Sequence, residues 1–349
     1  MRGVIFKGER VLEIQDFRDP HPGPDEVVLE MKASGMCGSD LHFYRAPAGQ
    51  ALAAFGMVGD DAGFIGGHEP CGVVVEVGAA IDPSVIRIGD RMMVHHYDGC
   101  GFCDNCRTGW PQLCDRGNVI YGATAHGGHA DYIKVPARTL VRLPDELSFA
   151  AGAAISCGTG TAFGALVRLN VNAKDSLAVF GQGPVGQAAV QLATAMGAEV
   201  IAVDVAAERV ARAREFGAVH TINSAETDPV VAIKELTRGK GVVKALDCSG
   251  APAARAAAVK STAKWGSVAF VGEGSTVTLD VSPDMIRKQL TIMGSYTFST
   301  VGQADCAKFI ARQGVEVDKV FTDHWRLDDA VDAYRNFDMQ TGGKAVIEF

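Results

Sequence analysis

Aromatic side chains are scarce, at 7% of the 349 residues. A chain so poor in Phe, Tyr and Trp does not read as a binding scaffold built on aromatics. Its 41 glycines fit an α/β enzyme with many tight turns better. Basic charge is also in short supply: 33 Lys and Arg stand against 41 Asp and Glu, a balance of −8. With no basic surplus and no long Lys/Arg run, a nucleic-acid backbone or an anionic membrane surface is a poor partner. The start, MRGVIFKGERVLEI, interleaves charge with apolar residues and lacks the apolar run of a signal peptide. Leu147 to Val167 and Ser176 to Ala198 carry no charge but are dotted with Gly, Ser, Thr and Gln. They read as buried helix and strand rather than membrane spans, and the expected location is the cytoplasm. Hydrophobic residues at 47% and charged residues at 21% exclude a disordered chain. At roughly 100–200 residues per domain, the length suggests about two domains.

Nine cysteines in a long chain do not form a small disulfide scaffold. Four of them, Cys100, Cys103, Cys106 and Cys114, fall in CGFCDNCRTGWPQLC, with spacing C-x2-C-x2-C-x7-C. Sulfurs this close can converge on one tetrahedral zinc ion, and Gly99, Gly101 and Gly109 let the backbone wrap around it. Short cysteine spacings also hold iron–sulfur clusters. A closed set of four thiolates leaves no position for substrate, so a metal here is structural.

SLAVF (176–180) reads as a buried strand, and GQGPVG follows with Gly181, Gly183 and Gly186 in G-x-G-x-x-G spacing. A helical pattern comes next, then EVIAVD ending at Asp204. Strand, glycine turn, helix and distal acid together form a dinucleotide-binding fingerprint. Gly181 makes the turn, Gly183 admits the pyrophosphate and Gly186 lets the helix pack on the strand. Pro184 suits the first helical turn, where Val185 also lies and free N–H groups face the anion. Asp204 is expected to accept the adenosine ribose hydroxyls and to repel a 2′-phosphate, favouring NAD over NADP. Arg209, five residues on, softens that repulsion. Further strands are expected at VVKALDCSG (242–250), GSVAFVGEG (266–274) and LTIMGSY (290–296), alternating with helices in a six-strand parallel unit. Flanking regions are β-rich, with strands at DEVVLEMKASG, CGVVVEVG, KVFTDHWRL and KAVIEF.

Cys37, His68 and Cys157 would give zinc three protein ligands and an open fourth position, as in a catalytic site. Their spacing alone does not bring them together. GHEPCGVVVEVGAAI, Gly67 to Ile81, matches the signature G-H-E-x2-G-x5-G-x2-I and resembles the zinc-containing alcohol dehydrogenases of the medium-chain dehydrogenase/reductase superfamily. Cys37-Gly38-Ser39-Asp40, Gly89-Asp90-Arg91, the four-cysteine stretch, Gly127-Gly128 and the glycine turn are similar to the same family, in the same order.

The resemblance implies an α/β fold. A β-rich GroES-like catalytic domain would take residues 1–157 and 298–349, with a zinc lobe at about 95–117. A Rossmann-type doubly wound parallel sheet would take 158–297, with the active site in the cleft between the two. It implies two zinc ions per chain and NAD. Cys37, His68 and Cys157 match the catalytic zinc ligands, and Glu69 matches a carboxylate beside the metal. Asp40 matches the group that orients the ligand histidine. Ser39 matches the hydroxyl that receives the alcohol proton, and His42 the histidine that passes it to water. His96 stands where relatives place a pocket residue that is often apolar; here a polar wall points to a hydroxylated substrate. Residues 43–67 look longer than in many relatives and are expected to form a lid. Relatives are tetramers or dimers, so a homotetramer is expected, with a dimer as the alternative. The rival functions are an NADPH-dependent carbonyl or imine reductase of the same superfamily and a non-enzymatic zinc-ribbon protein.

Overall fold

The computed structural model describes residues 1–47, 49–54, 63–339 and 342–349. The chain divides into two compact units, Met1–Cys157 with Ser299–Phe349, and Gly158–Phe298. The first begins with a hairpin of β1 (Arg2–Gly8) and β2 (Val11–Asp16). The long strand β3 (Glu26–Gly35) pairs antiparallel with β4 (Glu69–Val77), and β5 (Arg91–Val94) follows on β4. Two short strands, β6 (Tyr97–Asp98) and β7 (Val119–Ile120), pair and close the neck of the four-cysteine lobe. Then come β8 (Tyr132–Pro136), on β3, and β9 (Leu140–Arg142), on β5. Val27, Leu29, Met31, Val74, Met92, Ile133 and Val135 form one buried cluster beneath this sheet.

The second unit is a six-stranded sheet. Its strands are β10 (Ser176–Phe180), β11 (Glu199–Asp204), β12 (His220–Asn223), β13 (Val242–Asp247), β14 (Thr262–Phe270) and β15 (Thr291–Gly294). All pair in parallel, in the order β12-β11-β10-β13-β14-β15. Leu177 to Phe180 and Val200 to Val203 are buried on both faces, as a parallel sheet covered by helices requires. The order reverses between β10 and β13, which places a ligand crevice outside their carboxyl ends.

The chain then returns to the first sheet through β16 (Phe321–Arg326) and β17 (Lys344–Glu348). β17 pairs with Ala33 to Gly35 of β3, while β8 takes Glu26 to Glu30 of the same strand.

Several expectations shift. The strand expected over 266–274 is Thr262–Phe270, so the glycine-rich residues after Phe270 are loop. The sixth parallel strand, β12, is short and polar. The C-terminal segment is not only strands: helices Thr300–Gln313 and Ala330–Asp338 pack there. Phe298 closes the second unit, where the sequence placed the boundary at 298 in the other domain. A Cβ added at Gly164, on helix Gly158–Arg168, would lie 3.4 Å from the Phe298 Cβ. Among the described residues, no single helix is long and apolar enough to cross a membrane.

Candidate active site

Strand register assembles the first cluster. β3 runs out at Gly35, opposite Glu69 on one side and Val346 on the other. Two residues beyond, Cys37 sits at the N-cap of helix Gly38–Arg45. His68 lies just before β4, and Cys157 follows helix Phe149–Ile155. The donor atoms of Cys37, His68, Glu69 and Cys157 all lie within 4.8 Å of one another.

Asp40 serves two neighbours at once. Its Oδ2 accepts the Cys37 backbone N–H at 2.8 Å, which caps the helix. Its Oδ1 lies 2.9 Å from His68 Nδ1. With Nδ1–H donated to Asp40, the Nε2 lone pair is left for a metal. Burial alone would lower the His68 pKa, but Asp40 overrides it and raises the ring well above its ordinary value. The same carboxylate that favours a proton on the imidazole favours a cation at Nε2. The Cys37 thiol is held well below its usual range by a hydrogen bond from the Cys157 thiol, with His68 assisting. Two soft thiols and one oriented imidazole form a donor set suited to zinc.

Glu69 is fully buried, and its Oε1 accepts from Lys344 Nζ at 2.7 Å. Lys344 also donates to the Met36 carbonyl at 3.0 Å. Burial raises the Glu69 carboxyl to about 7, and the Lys344 ammonium opposes that rise. Lys344 is a site residue that sequence reading missed. Its only signal was a charged side chain in the apolar run KAVIEF, with no hint of which acid it faces.

Ser39 and His42 lie three residues apart on helix Gly38–Arg45, and so on one face of it. Ser39 is half-buried and His42 exposed, while Asp40, Leu41 and Tyr44 turn inward. His96 is buried, its Nδ1 3.0 Å from the Ser156 carbonyl and its ring edge-on to His68 at 5.1 Å. It therefore packs directly on a candidate ligand. Of the expected lid, Phe43 to Arg45 belong to this helix, and Ala51–Ala54 forms one helical turn. Residues 48 and 55–62 lie outside the described residues.

The four lobe cysteines converge as well, with sulfurs within 4.8 Å. Backbone N–H groups of Phe102 and Cys103 point at Cys100 Sγ, at 3.5 and 3.4 Å. They pull its pKa down to about 6. Cys106, by contrast, is pushed up to about 12 by burial. A Cβ on Gly99 would come 2.5 Å from Cys106 Sγ, so glycine is required for the wrap.

In the parallel unit, Gly181 has φ +87°, and a Cβ there would meet Ser249 at 2.7 Å. A Cβ on Gly186 would come within 1.8 Å of the Gly181 carbonyl, so the helix packs hard on the turn. Gly183 faces open space, with nothing within 4 Å. That opening, at the N-terminus of helix Pro184–Ala195 with Val185 in its first turn, suits a pyrophosphate. Asp204 ends β11, and its two oxygens accept from the N–H groups of Gln182 and Ala206. Remaining lone pairs can still meet ribose hydroxyls. Arg209 lies half-buried on helix Ala207–Glu215.

Residues 23–145 match the alcohol dehydrogenase GroES-like domain, and residues 184–313 match the zinc-binding dehydrogenase model. The chain is 39% identical to the zinc-type alcohol dehydrogenase-like protein YphC of Escherichia coli, across 100% of this chain and 99% of that one. The chain belongs to the zinc-containing alcohol dehydrogenase family. A sorbitol dehydrogenase of Bacillus subtilis is 30% identical to this family member, over 95% of this chain and 92% of its own. Alcohol dehydrogenase TADH from Thermus sp. ATN1 superposes with a TM-score of 0.90 at 26% identity, covering 100% and 99%. The protein is thus an alcohol dehydrogenase-like oxidoreductase with a GroES-like and a Rossmann-type unit.

Proposed function

We propose that this family member is a zinc-dependent NAD alcohol dehydrogenase that interconverts a polar, polyol-like primary or secondary alcohol with its aldehyde or ketone. The observation that carries the reading is the Cys37–His68–Cys157 cluster with Asp40 on the far ring nitrogen of His68. Zinc held there would act as a Lewis acid, stabilising negative charge on a substrate oxygen. Cys37, His68 and Cys157 supply the donors, and Asp40 fixes the imidazole tautomer. Glu69, neutralised by Lys344, stands beside them without adding a net charge. Ser39 takes the alcohol proton and His42 hands it to water. Gly183 and the helix start behind it receive the pyrophosphate of NAD, and Asp204 and Arg209 sit toward its adenosine end. The buried polar ring of His96, together with the likeness to a sorbitol dehydrogenase, supports a hydroxylated substrate. Turnover of polyols, simple alcohols, hydroxy acids and aromatic alcohols with NAD and NADP tests this. Exclusive activity on NADPH and carbonyls or imines would overturn it.

Two variants probe the assignments. Asp204→Ala should raise KM for NAD about tenfold, the worth of a hydrogen bond to a charged group. NADP should suffer less. Equal losses would show that Asp204 only braces Gln182. The His42 pKa is lowered, first by desolvation and then by Arg45. A proton acceptor works when neutral, so alcohol oxidation should hold up as pH falls until below the ordinary imidazole value of 6.5. A pH–kcat profile of His42→Gln should lose that acid limb. An unchanged limb would take His42 out of the relay.

A further inference from the structure

Helix Thr300–Gln313 starts against the four-cysteine lobe. The Thr300 N–H donates to the Gly109 carbonyl at 2.9 Å, and a Cβ on Gly109 would lie 3.0 Å from Thr300 Oγ1. One turn further, Gln303 is fully buried. Its Oε1 accepts from His95 Nδ1 at 3.1 Å, and its Nε2 donates to Ser156 Oγ at 3.4 Å. Ser156 is also fully buried. Its hydroxyl donates to the Gly152 carbonyl at 2.9 Å and lies 3.2 Å from the Pro70 carbonyl. Each of these partners adjoins the metal cluster. Ser156 precedes Cys157, Pro70 follows Glu69, and His95 precedes His96, whose ring meets His68.

One side-chain amide therefore reaches two segments that flank the cluster. It does so with an acceptor toward one and a donor toward the other, which no apolar or singly functional residue of this size supplies. His95 is buried and pushed down to about 4, so it stays neutral. Of the two neutral tautomers, the one with its proton on Nδ1 meets the Gln303 oxygen, which can only accept. We propose that Gln303 is a positioning residue that fixes the Ser156–Cys157 and His95–His96 segments around the Cys37–His68–Cys157 metal cluster. The inference rests on the metal-site reading above. Gln303 touches neither metal nor substrate. It acts through the hydrogen bonds that hold Cys157 and the ring against His68, as partners beyond the ligands do in other metal sites.

The test follows zinc release from the purified enzyme to a chromophoric chelator, with thermal unfolding recorded alongside. Cys37→Ala marks the release phase that belongs to the cluster, because that phase disappears in it. Gln303→Leu should speed the cluster phase about tenfold and leave the lobe phase and its amplitude as they were. Ser156→Ala should speed the same phase. The double variant should be no faster than the faster single, because both substitutions break one connection. A lost fold alone would speed both phases together. An unchanged cluster phase in both single variants, or additive effects in the double, overturns the proposal. Should Cys37→Ala retain every phase, the metal-site reading falls instead, and this inference falls with it.

Discussion

Cys37→Ala is expected to remove one zinc equivalent per chain and to lower kcat/KM for alcohol oxidation by at least about 10³-fold, the factor that roughly 4 kcal/mol of transition-state charge stabilisation represents. The fold should survive it. The Cys37 sulfur takes one half of a capping box, but the stronger half is Asp40 accepting from the backbone N–H at position 37, which alanine retains. Asp40 also keeps its hold on His68, so the remaining imidazole stays oriented and no buried carboxylate loses its partner. Removal of one sulfur therefore separates metal binding from architecture, which His68→Ala would not. Metal analysis, steady-state kinetics and thermal unfolding on the same preparation decide it. Full activity with undiminished zinc would take Cys37 out of the metal site.

The parts legible in the sequence are those whose chemistry is written within a few residues. The signature around His68, the four-cysteine stretch and the glycine turn each place donors or backbone N–H groups by local spacing. Their geometry follows from short-range constraints, such as the 1.8 Å approach that only glycine permits at 186. Contacts set by strand register were invisible. Lys344 meets Glu69 across 275 residues because β17 seats on the end of β3 that leads to Cys37. No periodicity in either strand names its partner. The helix Thr300–Gln313 is an instructive miss. Its buried positions 303, 306, 307 and 310 fall at helical spacing. One of the four is Gln303, and that polar residue breaks the apolar stripe that would have announced the helix. The residue that hid the element is the one with the most specific contacts in it. Strand β12 was lost for a related reason. It lies at the sheet edge with Ile222 its one buried side chain, so HTIN carries no apolar run.

Cys106→Ser is expected to release the second zinc equivalent, to lower the melting temperature by about 10 °C, and to make the lobe the first site of proteolytic cleavage. The lobe has little else to hold it. Phe102 is 73% exposed and Leu113 46%, so two of its large apolar side chains contribute little burial. Its neck is two residue pairs, Tyr97 with Ile120 and Asp98 with Val119. What organises it is a set of N–H groups aimed at sulfur: those of Phe102 and Cys103 at Cys100, and those of Cys100 and Arg116 at Cys114. At Cys100 those donors favour thiolate over thiol, and a cation among the four sulfurs would balance the charge they gather. Burial drives the Cys106 thiol upward, so a cation beside it is what makes it a thiolate ligand, and its loss leaves the metal one ligand short. Phe102→Ala is the control: it removes a larger side chain from the same loop but no ligand, and should leave melting and zinc content unchanged. Equal melting for Cys106→Ser and Phe102→Ala would mean that the lobe does not depend on a metal. A coloured protein with iron in place of this zinc would replace the assignment with a cluster.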